Sequence, residues 1–275
     1  MDTRITIVVD NNVQGTLGSE HGFSMWIESG GKRILFDTGQ GPALESNVPK
    51  LGIDTGAADL MVLSHGHYDH TGGLPYVVAH APKIEIYCHP GAVQPRYAIR
   101  DGKTRSIGIP HASAEALERF PSERLHWVPE PVMLTESIGL TGPIPRVTAY
   151  EDTGGPFFLD PQGTRPDLIE DDQALWIQTH EGLVVCMGCA HAGLINTLYY
   201  ILDLTRSTRI RAVIGGFHLL TAGEERLQAT VVALKELAPQ TLVPCHCTGE
   251  SAMRRLCDDL GESVTPGAAG MTFWY

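Results

Sequence analysis

No stretch of the 275 residues approaches the roughly 20 consecutive apolar positions that span a bilayer, so a membrane protein is not expected. Positive charge is scarce as well. Twenty Lys and Arg stand against 32 Asp and Glu, a formal net charge of −12, which repels long anionic polymers and argues against nucleic acid as a partner. The N-terminal stretch lacks an apolar run behind a basic head, the mark of a secretory signal. The six cysteines, Cys88, Cys186, Cys189, Cys245, Cys247 and Cys257, are too few and too clustered for a disulfide framework. Reduced thiols or thiol metal ligands, and a cytoplasmic location, are the expectations.

With 43% hydrophobic residues, the chain can bury a large core, and one domain over 1–275 is the simplest organisation. Alternating or apolar runs predict strands over 5–9, 23–28 and 33–36, with a hairpin turn at Gly30-Gly31-Lys32. The short run Leu60-Met61-Val62-Leu63-Ser64 reads as a buried strand that stops at a cluster of histidines. A strand over 83–88 follows. From about 90 to 166 the chain is proline-rich and aperiodic apart from a helix near 112–120, and it is expected to be an insertion of loops and short elements over the active site. Strands over 174–178, 183–187, 211–214 and 241–243 then alternate with helices over 194–205 and 223–237. Hairpins followed by strand–helix units indicate a layered α/β protein with helices covering sheets.

The chemistry concentrates in Ser64-His65-Gly66-His67-Tyr68-Asp69-His70-Thr71-Gly72-Gly73-Leu74. Four side chains able to bind a metal lie within six residues on a sharp turn. Imidazoles and a carboxylate brought together away from water need partners, and a divalent cation supplies one to all of them. A solvated polar loop is the plain alternative.

This stretch resembles the His-x-His-x-Asp-His motif of the metallo-β-lactamase superfamily. Other features fall in that superfamily's order: Leu35-Phe36-Asp37-Thr38-Gly39 before the cluster, and His191, His218 and His246 at later strand ends. Glu20-His21-Gly22-Phe23-Ser24, Gly188-Cys189-Ala190-His191-Ala192-Gly193, Gly215-Gly216-Phe217-His218-Leu219 and Cys245-His246-Cys247-Thr248-Gly249 are similar to the branch of methanopterin-pathway ribofuranosyl-aminobenzene phosphate synthase-like proteins. The resemblance implies a four-layer αββα sandwich, two mixed sheets with helices on the outer faces. It also implies two divalent metal ions, zinc first, with manganese or iron as alternatives.

Carried over by position, His65 and His67 bind the first ion, Asp69 and His70 the second, and His246 completes the second site. Many relatives supply a third histidine to the first ion just before a later strand, where this chain offers Glu170, Asp171 and Asp172. Asp172 or His191 is expected to substitute. Cys189 is a further candidate beside His191, and His191 is the preferred ligand of the two. The resemblance gives Asp69 the role of orienting a metal-activated water and His218 that of proton donor to the leaving group.

Several residues carry two readings. Asp37 is expected to support the metal loop rather than to ligate. His21 faces substrate or belongs to a surface loop. Cys186, Cys189, Cys245 and Cys247 could form a separate structural zinc site, but Cys186 sits in an apolar strand and reads more simply as core. Arg146 and Arg96 are candidates for holding a substrate phosphate, against the plainer surface ion pair. The expected activity is metal-dependent hydrolysis of a phosphoester or other small anionic molecule. The alternatives are a transferase condensing a pterin with a ribofuranosyl phosphate, or a ligand-binding protein without catalysis. No nucleic-acid or membrane partner is expected, and a homo-oligomer is left open.

Overall fold

The computed structural model describes residues 2–275. The chain opens with β1 (Arg4–Val9), β2 (Ser24–Ser29), β3 (Lys32–Phe36), α1 (Pro42–Lys50), β4 (Leu60–Val62), α2 (Tyr68–Thr71), α3 (Leu74–His80) and β5 (Glu85–Cys88). The middle holds β6 (Tyr97–Arg100), β7 (Lys103–Ser106), α4 (His111–Glu118), β8 (Leu125–Trp127), β9 (Val132–Met133), β10 (Ile138–Leu140) and β11 (Phe157–Phe158). The last part is β12 (Ala174–Thr179), β13 (Gly182–Met187), α5 (Leu194–Thr205), β14 (Ile210–Gly216), α6 (Glu224–Leu237), β15 (Thr241–Cys245), α7 (Glu250–Leu260) and β16 (Thr272–Trp274).

Two mixed sheets face one another. The first has the order β16-β1-β2-β3-β4-β5-β8 and the second β15-β14-β13-β12-β10-β9. Side-chain alternation builds the layers. On β3, Ile34 and Phe36 point between the sheets while Leu35 points to the outer helices, and on β13 Val184 and Cys186 point inward while Val185 and Met187 point outward. Strands buried on both faces must be apolar throughout, which is why β13 reads Leu183-Val184-Val185-Cys186-Met187. On one outer face, Leu44, Val48, Leu74, Val77 and Leu117 of α1, α3 and α4 cover the first sheet. On the other, Leu194, Ile195, Leu198 and Ile201 line one stripe of α5 and pack with α6 and α7 on the second. Each such fully buried aliphatic side chain contributes roughly 1.5–3 kcal/mol. The chain is the four-layer αββα sandwich.

The turn at Gly30 and Gly31 joins β2 to β3 with φ of 58° and 73°, the backbone that tight hairpins require and glycine adopts freely. The segment over 90–166 is more structured than loops. β8 extends the first sheet and β9 and β10 extend the second, while β6, β7 and β11 form a small third sheet. These strands are two to four residues long, too short to show a period in the sequence.

β3, β4, β5 and β8 run parallel, as do β13, β14 and β15. Parallel strands present their carboxyl ends on a common edge, where open α/β sheets hold ligands. Asp37 follows β3, His65 follows β4, Cys189 and His191 follow β13, His218 follows β14 and His246 follows β15. Among the described residues no helix is long and apolar enough to cross a membrane.

Candidate metal centre and its cleft

The loop after β4 is held in a narrow space. The N–H of Gly66 donates to Asp171 Oδ2 at 2.8 Å, and a Cβ on Gly66 would lie 2.1 Å from the carbonyl oxygen of Ala92, so no larger residue fits. This places His65 and His67 side by side, with His65 Nε2 3.0 Å from His67 Nδ1. The ring of His191 lies 4.8 Å from each of them, centroid to centroid. Its Nδ1 meets the carbonyl of Thr153 at 2.8 Å, which assigns the proton to Nδ1 and leaves a lone pair on Nε2. Nε2 of His191 and Nε2 of His67 are buried without a hydrogen-bond partner. Burial, and then neighbouring positive groups, hold His65, His67 and His191 well below the usual histidine range. Neutral imidazoles with open lone pairs are the form a metal ion binds.

A second set lies beside the first. His70 Nδ1 contacts Asp37 Oδ2 at 2.7 Å, and Asp37 also accepts the N–H and the hydroxyl of Ser64 at 2.7 and 2.6 Å. His70 Nε2 lies 3.1 Å from the Cys189 thiol, and its ring lies 5.1 Å from that of His246. Burial alone would lower the pKa of His70; the Asp37 carboxylate outweighs it and pushes the group up to about 9. Asp69 Oδ2 sits 3.0 Å from His21 Nε2 and 3.4 Å from His246 Nε2. Burial would raise the Asp69 carboxyl, but hydrogen bonds from His21 and His246 hold it well below the usual range, as a carboxylate. Asn11 and Asp10 fix His246 in turn, through its Nδ1 at 2.8 Å and its backbone N–H at 2.8 Å.

The ligand-capable atoms of His65, Cys189 and His191 all lie within 4.8 Å of one another, and so do those of His70, Cys189 and His246, and of His21, Asp69 and His246. Cys189 is common to the first two groups. These donors fit divalent metals: unpartnered imidazole nitrogens, one carboxylate and one thiol, gathered with little water access. His191, the preferred candidate, and Cys189 come from one turn and fall in the same group. Asp172, the other expected third ligand, lies outside these groups. Its Oδ2 accepts the Ala192 N–H at 2.7 Å and thus braces the turn that carries His191, while burial pushes its carboxyl up to about 7.

The backbone around the centre is strained. Asp37, Ala190, His218 and His246 have φ of 58°, 53°, 45° and 46°, a left-handed region that costs non-glycine residues on the order of 1–3 kcal/mol each. All four sit just past the strands β3, β13, β14 and β15, so packing elsewhere holds side chains aimed at one place at a local cost.

Above the centre opens a cleft of about 1080 Å³, with His67, Asp69, Cys189, His191, His218 and His246 in its wall. The ring of His218 is 4.1 Å from that of His191, and its buried Nδ1 has no partner. The two arginines that are candidates for phosphate or for a surface ion pair make other contacts here. Arg146 donates to the carbonyls of His191 and Leu168 at 2.8 and 2.6 Å and is absent from the cleft wall, so it secures the His191 turn. Arg96 is buried and pairs with Asp167 and Asp171. The cations that do line the cleft are Arg100, Lys103 and Arg105.

The model of the metallo-β-lactamase superfamily matches residues 17–195, well over half of the chain. The chain belongs to that superfamily. Two proteins of Methanocaldococcus jannaschii are similar to it over 92% of its length. One is 7,8-dihydropterin-6-methyl-4-(β-D-ribofuranosyl)-aminobenzene-5′-phosphate synthase, 31% identical with 89% of its own length covered. The other is an uncharacterized protein, 33% identical with 93% covered. Among solved structures, a metal-dependent hydrolase of the β-lactamase superfamily superposes with a TM-score of 0.82 at 32% identity, covering 98% of each chain.

In this metallo-β-lactamase superfamily member His65, His67, Asp69 and His70 lie close to His191 and His246, and Asp37 contacts His70 and Ser64. Sequence reasoning left His21 open, considered Cys247 only for a structural zinc site, and passed over Asn11 and the three cleft cations. The run Lys103-Thr104-Arg105, basic in an acidic chain, was the available signal for the last. Cys186 lies between the sheets, Cys245 lies there and also borders the cleft, and Cys189 and Cys247 instead group with His218, their ligand-capable atoms within 4.8 Å of one another, so the four thiols do not converge on one separate site.

Proposed function

We propose that the chain is a metal-dependent hydrolase of a phosphoester or another small anionic molecule. The observation that carries this reading is the pair of buried, unpartnered nitrogens, His67 Nε2 and His191 Nε2, in the wall of a cleft that also receives Asp69, Cys189 and His246, with His70 buried behind Cys189 and His246. His65, His67 and His191 would hold one divalent ion and Asp69, His70 and His246 a second, with Cys189 between them. When bound, two such ions, zinc first with manganese or iron as alternatives, lower the pKa of water and polarise a phosphoryl oxygen.

The chain's own groups do the rest. Asp69, kept ionised by His21 and His246, accepts a hydrogen bond from the attacking water and orients it. His218, whose ring lies in the cleft wall, donates a proton to the departing oxygen. Asp37 and Arg146 keep His70 and the His191 turn in place. Phe157, 5.4 Å from the His67 ring and 5.5 Å from the His191 ring, keeps water from that side.

The similarity to the M. jannaschii synthase favours a second reading, the joining of a pterin to a ribofuranosyl phosphate by the same centre. Products separate the two. The zinc-loaded protein is offered phosphomonoesters, phosphodiesters, lactones and thioesters, and separately a dihydropterin diphosphate with a ribofuranosyl-aminobenzene phosphate. Release of one hydrolysed phosphoester supports hydrolysis; pyrophosphate released only when both partners are present supports the synthase and overturns hydrolysis. The partner in either case is a small anion, and the six free cysteines support a cytoplasmic setting.

A further inference from the structure

The hairpin of β6 and β7 pairs Arg100 with Lys103, Ile99 with Thr104, Ala98 with Arg105 and Tyr97 with Ser106. Directly opposed residues share a face, and faces alternate along each strand. Ala98, Arg100, Lys103 and Arg105 therefore lie on one face, and these four line the cleft while Tyr97, Ile99, Thr104 and Ser106 do not. Three cations thus face the cleft together in a chain of net charge −12. Among the described residues no carboxylate pairs with any of them, and Arg105 alone has a polar side-chain partner, the Tyr68 hydroxyl at 3.1 Å. Asp101, between Arg100 and Lys103, shares the cleft wall but makes no ion pair with any of the three; like charges set side by side repel one another, and an anion relieves that cost.

The hairpin is tied to the metal-binding loop. The Tyr68 N–H donates to the Ile107 carbonyl at 3.0 Å, His67 bridges Gly108, and the Arg105 guanidinium rests 5.0 Å above the Tyr68 ring. Arg105 is two residues, roughly 7 Å of strand, from Ile107, and Lys103 is about as far again. Distance between the cations and the candidate centre is therefore fixed by backbone pairing.

We infer that Arg100, Lys103 and Arg105 form an anion subsite for a second, non-reacting phosphate group of the substrate. This rests on the reading of the centre as the place where a first anionic group reacts. It narrows the substrate to small molecules bearing two separated anionic groups. A cleft of about 1080 Å³ exceeds what a simple phosphomonoester fills.

The test uses the zinc-loaded protein and calorimetric binding of fructose 1,6-bisphosphate against fructose 6-phosphate. The wild type is expected to bind the bisphosphate about tenfold more tightly, a preference that shrinks with added salt because the cations are exposed. In R100Q/K103Q/R105Q the preference disappears, and in R100K/R105K it survives, with unchanged circular dichroism and zinc content checking the fold of both. Equal affinities in the wild type, or a preference retained by the triple glutamine variant, overturn the subsite. Phosphate release is measured in the same preparations: a preference that follows the cations without any turnover upholds the subsite and removes the hydrolytic reading.

Discussion

Asp37 Oδ2 lies 2.7 Å from His70 Nδ1, and both side chains are completely buried. The carboxylate fixes which ring nitrogen of His70 carries the proton and so directs the other toward Cys189 and His246. Asp37→Asn keeps the shape and the left-handed backbone but weakens this orientation. Metal affinity is expected to fall about 10- to 100-fold, read by competition with a chromophoric chelator. Unchanged affinity would show that His70 is held by packing alone.

Gly188 follows β13 and packs against Ser64 and Asp37. A Cβ there would lie 2.0 Å from Ser64 Oγ and 2.9 Å from Asp37 Oδ2. Gly188→Ala is expected to destabilise the chain by about 1–3 kcal/mol and to lower metal content at the same time, because the displaced atoms are those that brace the centre. Urea unfolding and metal analysis on one preparation check both; loss of stability with full metal content contradicts the coupling.

Arg96 pairs with Asp167 and Asp171 out of contact with water, and Asp171 also accepts the Gly66 N–H. Arg96→Met strands two buried carboxylates, an expected cost of about 3–5 kcal/mol. Adding Asp167→Asn and Asp171→Asn should recover part of it. A urea midpoint that does not move would mean the pair is solvated.

Glu151 accepts the N–H groups of Ile195 and Asn196 at 2.9 Å each and so caps the start of α5, with Thr148 and Arg226 nearby. Burial is the largest influence on its carboxyl and raises it above the ordinary value of 4.5 despite those bonds. A raised folded value means the native state favours the protonated form. Its contribution is full below 4.5 and is lost as pH rises through the folded value. Glu151→Gln, always neutral, should lose less stability than the wild type as pH rises through that window. Parallel urea-midpoint profiles for the two proteins would contradict this.

Much of the fold was legible because its strands are long enough to alternate. β3, β12, β13 and β14 lie within a residue or two of their sequence positions, and the metal motif is local, four donors within six residues. The short β8, β9 and β10 carry no period, and only tertiary pairing makes them strands. The hairpin of β6 and β7 is largely exposed and polar, so no apolar alternation announces it. Arginine roles stayed open for a different reason: a guanidinium serves a phosphate, a carboxylate or a carbonyl equally well. Which of these Arg146 meets is decided by a turn 45 residues away.

The most direct test of the account is the metal content of the folded chain, measured by plasma emission spectrometry after equilibration with zinc and removal of loosely held ions. The wild type is expected to retain about two ions per chain, with His67→Ala and His246→Ala each retaining about one and losing turnover. A folded wild type that retains less than one ion, or a His67→Ala variant with two and undiminished turnover, contradicts the claim that these strand ends converge to hold a metal pair.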